Sequence, residues 1–249
     1  MHEHYNDYNN PNEFAEQYQR TLTKPDKLFS TLPTVLKLAG DCKDKVVVDL
    51  GCGSGFFTNE FAKKGAKKVV GVDNSREQLQ RAKRNQLKNV EYMLGNIFEQ
   101  SLPVADIILA PYVINYATDK KQLVKLFQHI HQSLNPNGIL IGVVDLPEGR
   151  DLKKFGAIKE MKGKKTDGAQ IKTKLYNKGK YICTLNAVYF TPPTLEHALQ
   201  SVGFESITWQ RPIISSNGLK KLGEKFWNGY CEAPELGYIT AIKKLKISI

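Results

Sequence analysis

The chain has 249 residues, 41% hydrophobic and 24% charged, the composition of an ordinary globular protein large enough for one α/β domain with a proper core. No apolar run approaches the ~18 residues of a membrane span, and the polar start (residues 1–6) lacks the apolar core of a signal peptide. Cys42, Cys52, Cys183 and Cys231 are scattered, with no C-x-x-C pair, so reduced thiols, a cytoplasmic location and no membrane partner are expected. The net charge of +11 admits nucleic acid or an acidic partner without establishing either. No His/Cys cluster has metal-ligand spacing, so no metal is expected.

In chain order, residues 1–20 form a polar lead-in in which Phe14 and Tyr18 share a helical face at i, i+4. Residues 28–38 follow as a flanking helix, with Pro33 in its first turn and Gly40 after its end. Together, residues 1–40 read as a lid and flanking helix ahead of a main domain over 41–249. That domain opens with a buried strand over 45–50 that runs into Asp49-Leu50-Gly51-Cys52-Gly53-Ser54-Gly55, a sharp turn into a helix starting near Phe56. A second strand (68–72) ends at Asp73, about 20 residues after the glycines, where a βαβ cofactor site places a carboxylate on ribose hydroxyls. Ser75 and Gln78 form a capping box for the next helix, whose outer face is basic. The third strand (90–94) runs into Gly95-Asn96-Ile97, and the fourth (105–110) delivers Pro111-Tyr112-Val113-Ile114-Asn115-Tyr116 to the carboxyl edge of the sheet. A helix capped by Thr118 or Asp119 carries Leu123, Leu126, Phe127, Ile130 and Leu134 at helical spacing, with His129 and His131 as surface residues. Asn135-Pro136-Asn137-Gly138 is a turn before the fifth strand (138–145).

Residues 147–190 break the alternation. Within 150–180, Arg150 and ten lysines face Asp151, Glu160 and Asp167, a local charge of +8. Asn177-Lys178-Gly179 marks a hairpin inserted over the sheet edge. The segment reads either as a mobile soluble loop or as a cap whose charge attracts an anionic substrate or RNA. The chain then resumes with a helix capped by Thr194 and closed by Gly203, a strand over 204–209, a helix over 220–230 carrying Phe226, Trp227 and Tyr230, and a last strand over 236–243. His197 falls on the polar side of its helix and is not a base.

The glycine turn is not a dinucleotide fingerprint, because Phe56 stands where the third small residue belongs, and it is not a P-loop, because no Lys-Ser/Thr pair follows. As acid-x-G-x-G-x-G it resembles motif I of the class I S-adenosylmethionine (SAM)-dependent methyltransferases. Asp73, Gly95-Asn96 and the turn at 135–138 agree with that family in order and spacing. The resemblance implies a Rossmann-like, mostly parallel sheet of seven strands with helices on both faces, the last strand antiparallel, plus the inserted cap hairpin. It implies SAM as cofactor and S-adenosylhomocysteine (SAH) as product. The cofactor contacts it implies are Tyr18 (a lid, from the Ala-x-x-Tyr element), Asp49, Gly51, Cys52, Gly53, Gly55, Asp73, Asn74, Asn96, Ile97 and Ala110. In the family the third strand is often followed by Gly-Asp, whose acid accepts from the adenine amino group. Here that position is Asn96, an uncharged and weaker acceptor.

Ala110-Pro111-Tyr112 lacks the Asn/Asp acceptor of enzymes that methylate base or glutamine amide nitrogens. Tyr112, Asn115 and Tyr116 are candidate acceptor contacts, and no catalytic triad is visible. The expected function is methyl transfer from SAM to a small-molecule N or O nucleophile, anionic if the basic segment steers it. The alternatives are an RNA or protein methyltransferase docking through the lysines, and a SAM-binding protein without transferase activity.

Overall fold

The computed structural model describes Tyr8, residues 14–232 and residues 235–245. Most of the polar lead-in therefore lies outside the described residues. Helix α1 (Phe14–Gln19) is followed by a π-helical turn (Lys27–Thr31) that runs directly into α2 (Leu32–Ala39). Strand β1 (Val46–Leu50), α3 (Phe56–Lys63), β2 (Lys68–Asp73), α4 (Arg76–Lys83), β3 (Val90–Leu94) and β4 (Ala105–Pro111) then alternate. Helix α5 (Lys120–Ser133) leads into β5 (Leu134–Asp145). Beyond it lie β6 (Asp151–Leu152), β7 (Ala157–Met161), β8 (Gln170–Asn177) and β9 (Lys180–Val188). The chain closes with α6 (Pro192–Ser201), β10 (Glu205–Gln210), the short helices α7 (Ser216–Leu222) and α8 (Glu224–Trp227), and β11 (Leu236–Ile242).

Seven strands form one sheet in the order β10-β11-β5-β4-β1-β2-β3. The pairs β3/β2, β2/β1, β1/β4 and β4/β5 are parallel, and β11 is antiparallel to both of its neighbours. The period-2 alternation of a strand explains the continuous apolar runs, since both faces are covered. On β1 and β4, Val48, Ile108 and Ala110 pack toward Leu123, Phe127 and Leu199 of α5 and α6. Val47, Ile107 and Leu109 pack toward Val35, Phe57 and Phe61 of α2 and α3. The expected turn at 135–138 is a loop inside the fifth strand: Leu134 pairs with Ala105, Ile139 pairs with Ile107, and Asn137 takes φ +62° between them.

The insertion is larger than the expected hairpin. Strands β6 to β9 form a separate four-stranded antiparallel sheet, in which the Asn177–Lys180 turn is one of three connections. Helix α1 docks on it, with Phe14 and Tyr18 against Ala157, Leu175 and Cys183. Its base is fixed by Leu152 and Phe155 packing on Trp227 and Tyr230, with the Phe155 and Trp227 rings stacked at 5.6 Å. Two further expectations are corrected. Thr191, not Thr194, caps α6 and accepts from Thr194 N–H, because Pro192 and Pro193 occupy the first turn, where a missing N–H costs nothing. The single helix expected over 220–230 is broken at Gly223, which takes φ +78°.

Candidate functional site

A cavity of about 720 Å³ runs from the glycine turn at the carboxyl edge of the sheet to the inner face of the β6–β9 cap. At the first end, Gly51, Cys52, Gly53, Asp73, Asn74, Gln78, Asn96 and Ile97 line it. Gly53 has φ +54°, and a Cβ there would meet only Gln78 Oε1 at 3.7 Å, so the backbone itself forms an open wall. Asp73 is nine-tenths buried and accepts from Gly53 N–H through Oδ2 (2.7 Å) and from Ser75 N–H through Oδ1 (2.8 Å). Burial raises its pKa while those N–H donors oppose the rise. The capping box at Ser75 is half formed: Ser75 Oγ accepts from Gln78 N–H, while the Gln78 amide turns to Gln19 (3.0 Å). Gln19 also accepts from Ser54 Oγ (3.0 Å), which ties α1 across the glycine turn. Gln78 Nε2 is buried with no partner. The Asn96 carbonyl accepts locally, from Phe98 N–H (3.1 Å).

Asp49 stands behind this wall, fully buried, accepting from Thr58 Oγ1 at 2.6 Å through Oδ2 and leaving Oδ1 without a partner. Burial pushes its pKa up to about 7 against the Thr58 hydrogen bonds. Lys27 projects from the π-helical turn, with Nζ 4.9 Å from the Phe56 ring centroid, 5.5 Å from Tyr18 and 5.6 Å from Tyr112. It lines the cavity and makes no ion pair among the described residues. Burial, and next the nearby Lys24, lower its pKa to about 7. Its ammonium thus lies among aromatic rings beside the glycine wall, with Asp26 and Asp49 acting on it through space.

Tyr8, Tyr18, Tyr112 and Tyr116 form the aromatic middle of the cavity. The Tyr8 and Tyr116 hydroxyls lie 2.7 Å apart, and Tyr112 Oη donates to Thr31 Oγ1 (3.0 Å). Tyr112 takes φ +66°, a backbone conformation costly for an aromatic residue, held here by that bond and by its N–H to Val143 O. Asn115 bridges two elements: its Nδ2 donates to Val188 O (2.9 Å) and its Oδ1 accepts from Asp145 N–H (2.8 Å). It thereby joins the end of β9 to the end of β5, and its polar atoms serve that join.

Toward the cap, two ion pairs flank the cavity. Lys24 pairs with Asp26 at 3.2 Å, and Lys159 with Asp145 at 2.7 Å, all four side chains at least 86% buried. Lys159 Nζ also donates to the backbone carbonyl of Glu235.

Of the residues expected to hold a cofactor, Tyr18, Gly51, Cys52, Gly53, Asp73, Asn74, Asn96 and Ile97 line one continuous wall, while Asp49, Gly55 and Ala110 do not reach it. Gly55 is glycine for another reason: it caps α3 at φ +82°, and a Cβ would collide with the Tyr92 hydroxyl. Ala110 packs in the core toward α5. Tyr112, Asn115 and Tyr116 all line the cavity. The histidines expected at the surface are half-buried: His129 Nδ1 lies 3.3 Å from Ile97 O, and His131 packs edge-on against Phe204. His197 is exposed, as its helical period implied. Of the eleven basic residues in 150–180, only Lys159 lines the cavity. Lys27, Gln78, Lys159, Thr173 and Glu235 also line it and carry no local sequence signal as site residues. Among the described residues no cluster of His, Cys, Asp and Glu could hold a metal, and no helix is long and apolar enough to cross a membrane.

This geometry agrees with what the chain resembles. The family described as "Methyltransferase domain" matches residues 41–180, more than half of the chain. A Haemophilus influenzae protein is 30% identical over 140 residues, covering 51% of this chain and 54% of its own length. The ribosomal protein L11 methyltransferase of Colwellia psychrerythraea is 39% identical over 94 residues, covering 32% of each chain. The chain thus spans from a third to about half the length of these curated relatives. Among solved structures, a SAM-dependent methyltransferase from Mesorhizobium loti superimposes with a TM-score of 0.63 at 18% identity, over 88% of this chain and 98% of that one, a likeness of fold. Sheet order, glycine turn and family match converge: the chain belongs to the methyltransferase-domain family, in its class I, SAM-dependent form.

Proposed function

We propose that the protein transfers the methyl group of SAM to a small-molecule nucleophile, nitrogen or oxygen, enclosed beneath the β6–β9 cap. The observation that carries this reading is a continuous cavity whose one end is the glycine turn and whose other end is roofed by a sheet. An acceptor buried on most sides is the setting of small-molecule sites.

The residues present fit the cofactor. The bare wall at Gly53 leaves room against the backbone, and the Asp73 oxygens keep lone pairs for ribose hydroxyls. Gln78 Nε2 is a buried donor still without a partner, and Lys27, which has no ion pair among the described residues, suits the amino-acid carboxylate. Asn74, Asn96 and Ile97 line the end that suits the base. When bound, SAM supplies a methyl group already activated by its sulfonium, so transfer needs no acid on the leaving group. The chain's task is to hold the nucleophile in line and exclude water. Tyr8, Tyr18, Tyr112 and Tyr116 surround the space between the two ends and keep it dry.

A second reading, docking of RNA or protein on the cap lysines, draws on the exposed Lys153, Lys154, Lys162, Lys164 and Lys172 and on the relative named as a ribosomal protein methyltransferase. Calorimetry with SAH and with tRNA tests the choice. The small-molecule reading expects one SAH per chain, unaffected by tRNA. A tRNA affinity that rises steeply at low salt and strengthens SAH binding would favour the second.

A further inference from the structure

The chain carries a net charge of +11, yet the charged residues lining its cavity are Lys24, Lys27 and Lys159 against Asp26, Asp73, Glu99, Asp145 and Glu235. The basicity is outside and the cavity is acidic. Away from the glycine turn, Lys24 is matched by Asp26 and Lys159 by Asp145, which leaves Glu235 as the acid of the cap end without an ion pair among the described residues.

Glu235 is 98% buried. Its Oε1 accepts from Glu148 N–H (3.0 Å) and Arg150 N–H (2.7 Å), while Oε2 has no partner. Thr173, 95% buried on β8, likewise leaves its Oγ1 without a partner. The two belong to one corner. Thr173 stands directly opposite Lys159 across the β7/β8 pair, so their side chains share the inner face of the cap. The Lys159 ammonium reaches both Asp145 and the Glu235 backbone carbonyl. An orphaned carboxylate oxygen from the residue just before β11 and an orphaned hydroxyl on β8 therefore line the same cavity. A buried polar atom left unpaired costs about 1–3 kcal/mol, more for a charged group, a cost a ligand donor removes. Leu175, Leu185, Ala187 and Leu236 make the surrounding wall apolar, so a donor arriving there leaves water and meets a strengthened charge.

We propose that this corner is an acceptor subsite for a cationic amine: the methyl acceptor is a small molecule with an ammonium group bound by Glu235 and Thr173. The inference rests on the small-molecule reading above and replaces the anionic acceptor that the basic segment implied. At the cap end an anion would meet Glu235 with the lysines already paired; an ammonium completes the one acid of that end that has no ion pair among the described residues.

The test is calorimetry on SAH-saturated protein, titrated with size-matched sets: phenethylamine, 3-phenylpropionate and 2-phenylethanol, then butylamine, butyrate and butanol. SAH is titrated first, so a failure of the cofactor reading shows as absent SAH binding before any amine is added. The expected result is that in at least one set the amine binds at least about tenfold tighter than its carboxylate and alcohol partners. Glu235→Gln, which keeps the acceptor for the two backbone N–H groups, should weaken that amine about tenfold or more and leave SAH affinity unchanged. Thr173→Val should weaken it by a smaller factor. A carboxylate or alcohol that binds as tightly as its amine, amine affinity equal in wild type and folded Glu235→Gln, or no amine binding to SAH-loaded protein would each overturn the proposal.

Discussion

Gly53 N–H donates to Asp73 Oδ2 at 2.7 Å, so the turn after the first strand and the acid ending the second are locked by one charge-assisted bond. Because Asp73 uses one oxygen on Gly53 and the other on Ser75, an amide in its place must set a donor against a donor. Asp73→Asn is expected to weaken SAH by about 1.5–3 kcal/mol, ten- to a hundred-fold, and to lower the melting temperature. Calorimetry on the folded variant checks it, and unchanged affinity would contradict the ribose assignment.

Lys27 gives the cofactor site a pH dependence of known sign. With its pKa at about 7 in the empty site, the lysine is protonated below that value and ready for a carboxylate. Above it, each binding event must take up a proton, so SAH affinity should fall as pH rises past 7, by up to about tenfold per unit. The stability of the empty protein runs the other way. The folded pKa lies below the unfolded one, so between about 7 and 10.5 the unfolded chain holds the extra proton, and this group's contribution rises with pH. Lys27→Met, which keeps the packing among the rings, should weaken SAH and flatten the alkaline limb. A wild-type affinity independent of pH from 6 to 9 would contradict the role.

The two glycines Gly53 and Gly55 should fail differently. Gly53→Ala has space for its Cβ in the empty protein and costs about 1–2 kcal/mol of backbone strain, while filling the wall the cofactor needs. Gly55→Ala adds a collision with Tyr92, so its loss of melting temperature should be the larger. Thermal melts with and without SAH separate the two: Gly53→Ala should lose most of the ligand-induced shift while still folding.

The cap is seated by the buried Lys159–Asp145 pair, so Lys159→Ala is expected to destabilise by about 3–5 kcal/mol, the cost of leaving a buried charge unpaired. Lys174 pairs with Glu160 on the exposed face, and Lys174→Ala should leave the denaturant midpoint nearly unchanged. Equal effects of the two variants would mean that the inner pair does not hold the cap.

The inner strands β1, β2 and β4 and the glycine turn are legible because a doubly covered strand must be apolar throughout and a sharp strand-to-helix turn must be glycine-rich. Asp73 was legible because its distance from the turn is set by one helix and one strand. The cap is less legible: β6 has two residues and β7 five, too short to show alternation, and only the Asn-Lys-Gly turn announces the hairpin. Lys27, Thr173 and Glu235 were invisible as site residues because each meets its neighbours through contacts between distant elements. Lys159 and Glu235, 76 residues apart, meet only because β11 inserts beside β5. At Gly55 the sequence pattern points to the ligand, because nothing local reveals that Tyr92 lies beneath it. Asn115 lines the cavity, yet its amide joins β9 to β5.

The measurement that tests the account most directly is an incubation of the protein with cell extract and methyl-labelled SAM, followed by counting label in solvent-extractable small molecules, RNA and protein. A cavity roofed by the cap predicts label in the small-molecule fraction, abolished or strongly reduced by Asp73→Asn. Label recovered in RNA or protein instead would contradict the enclosed acceptor site and make the outer lysines of the cap the recognition surface.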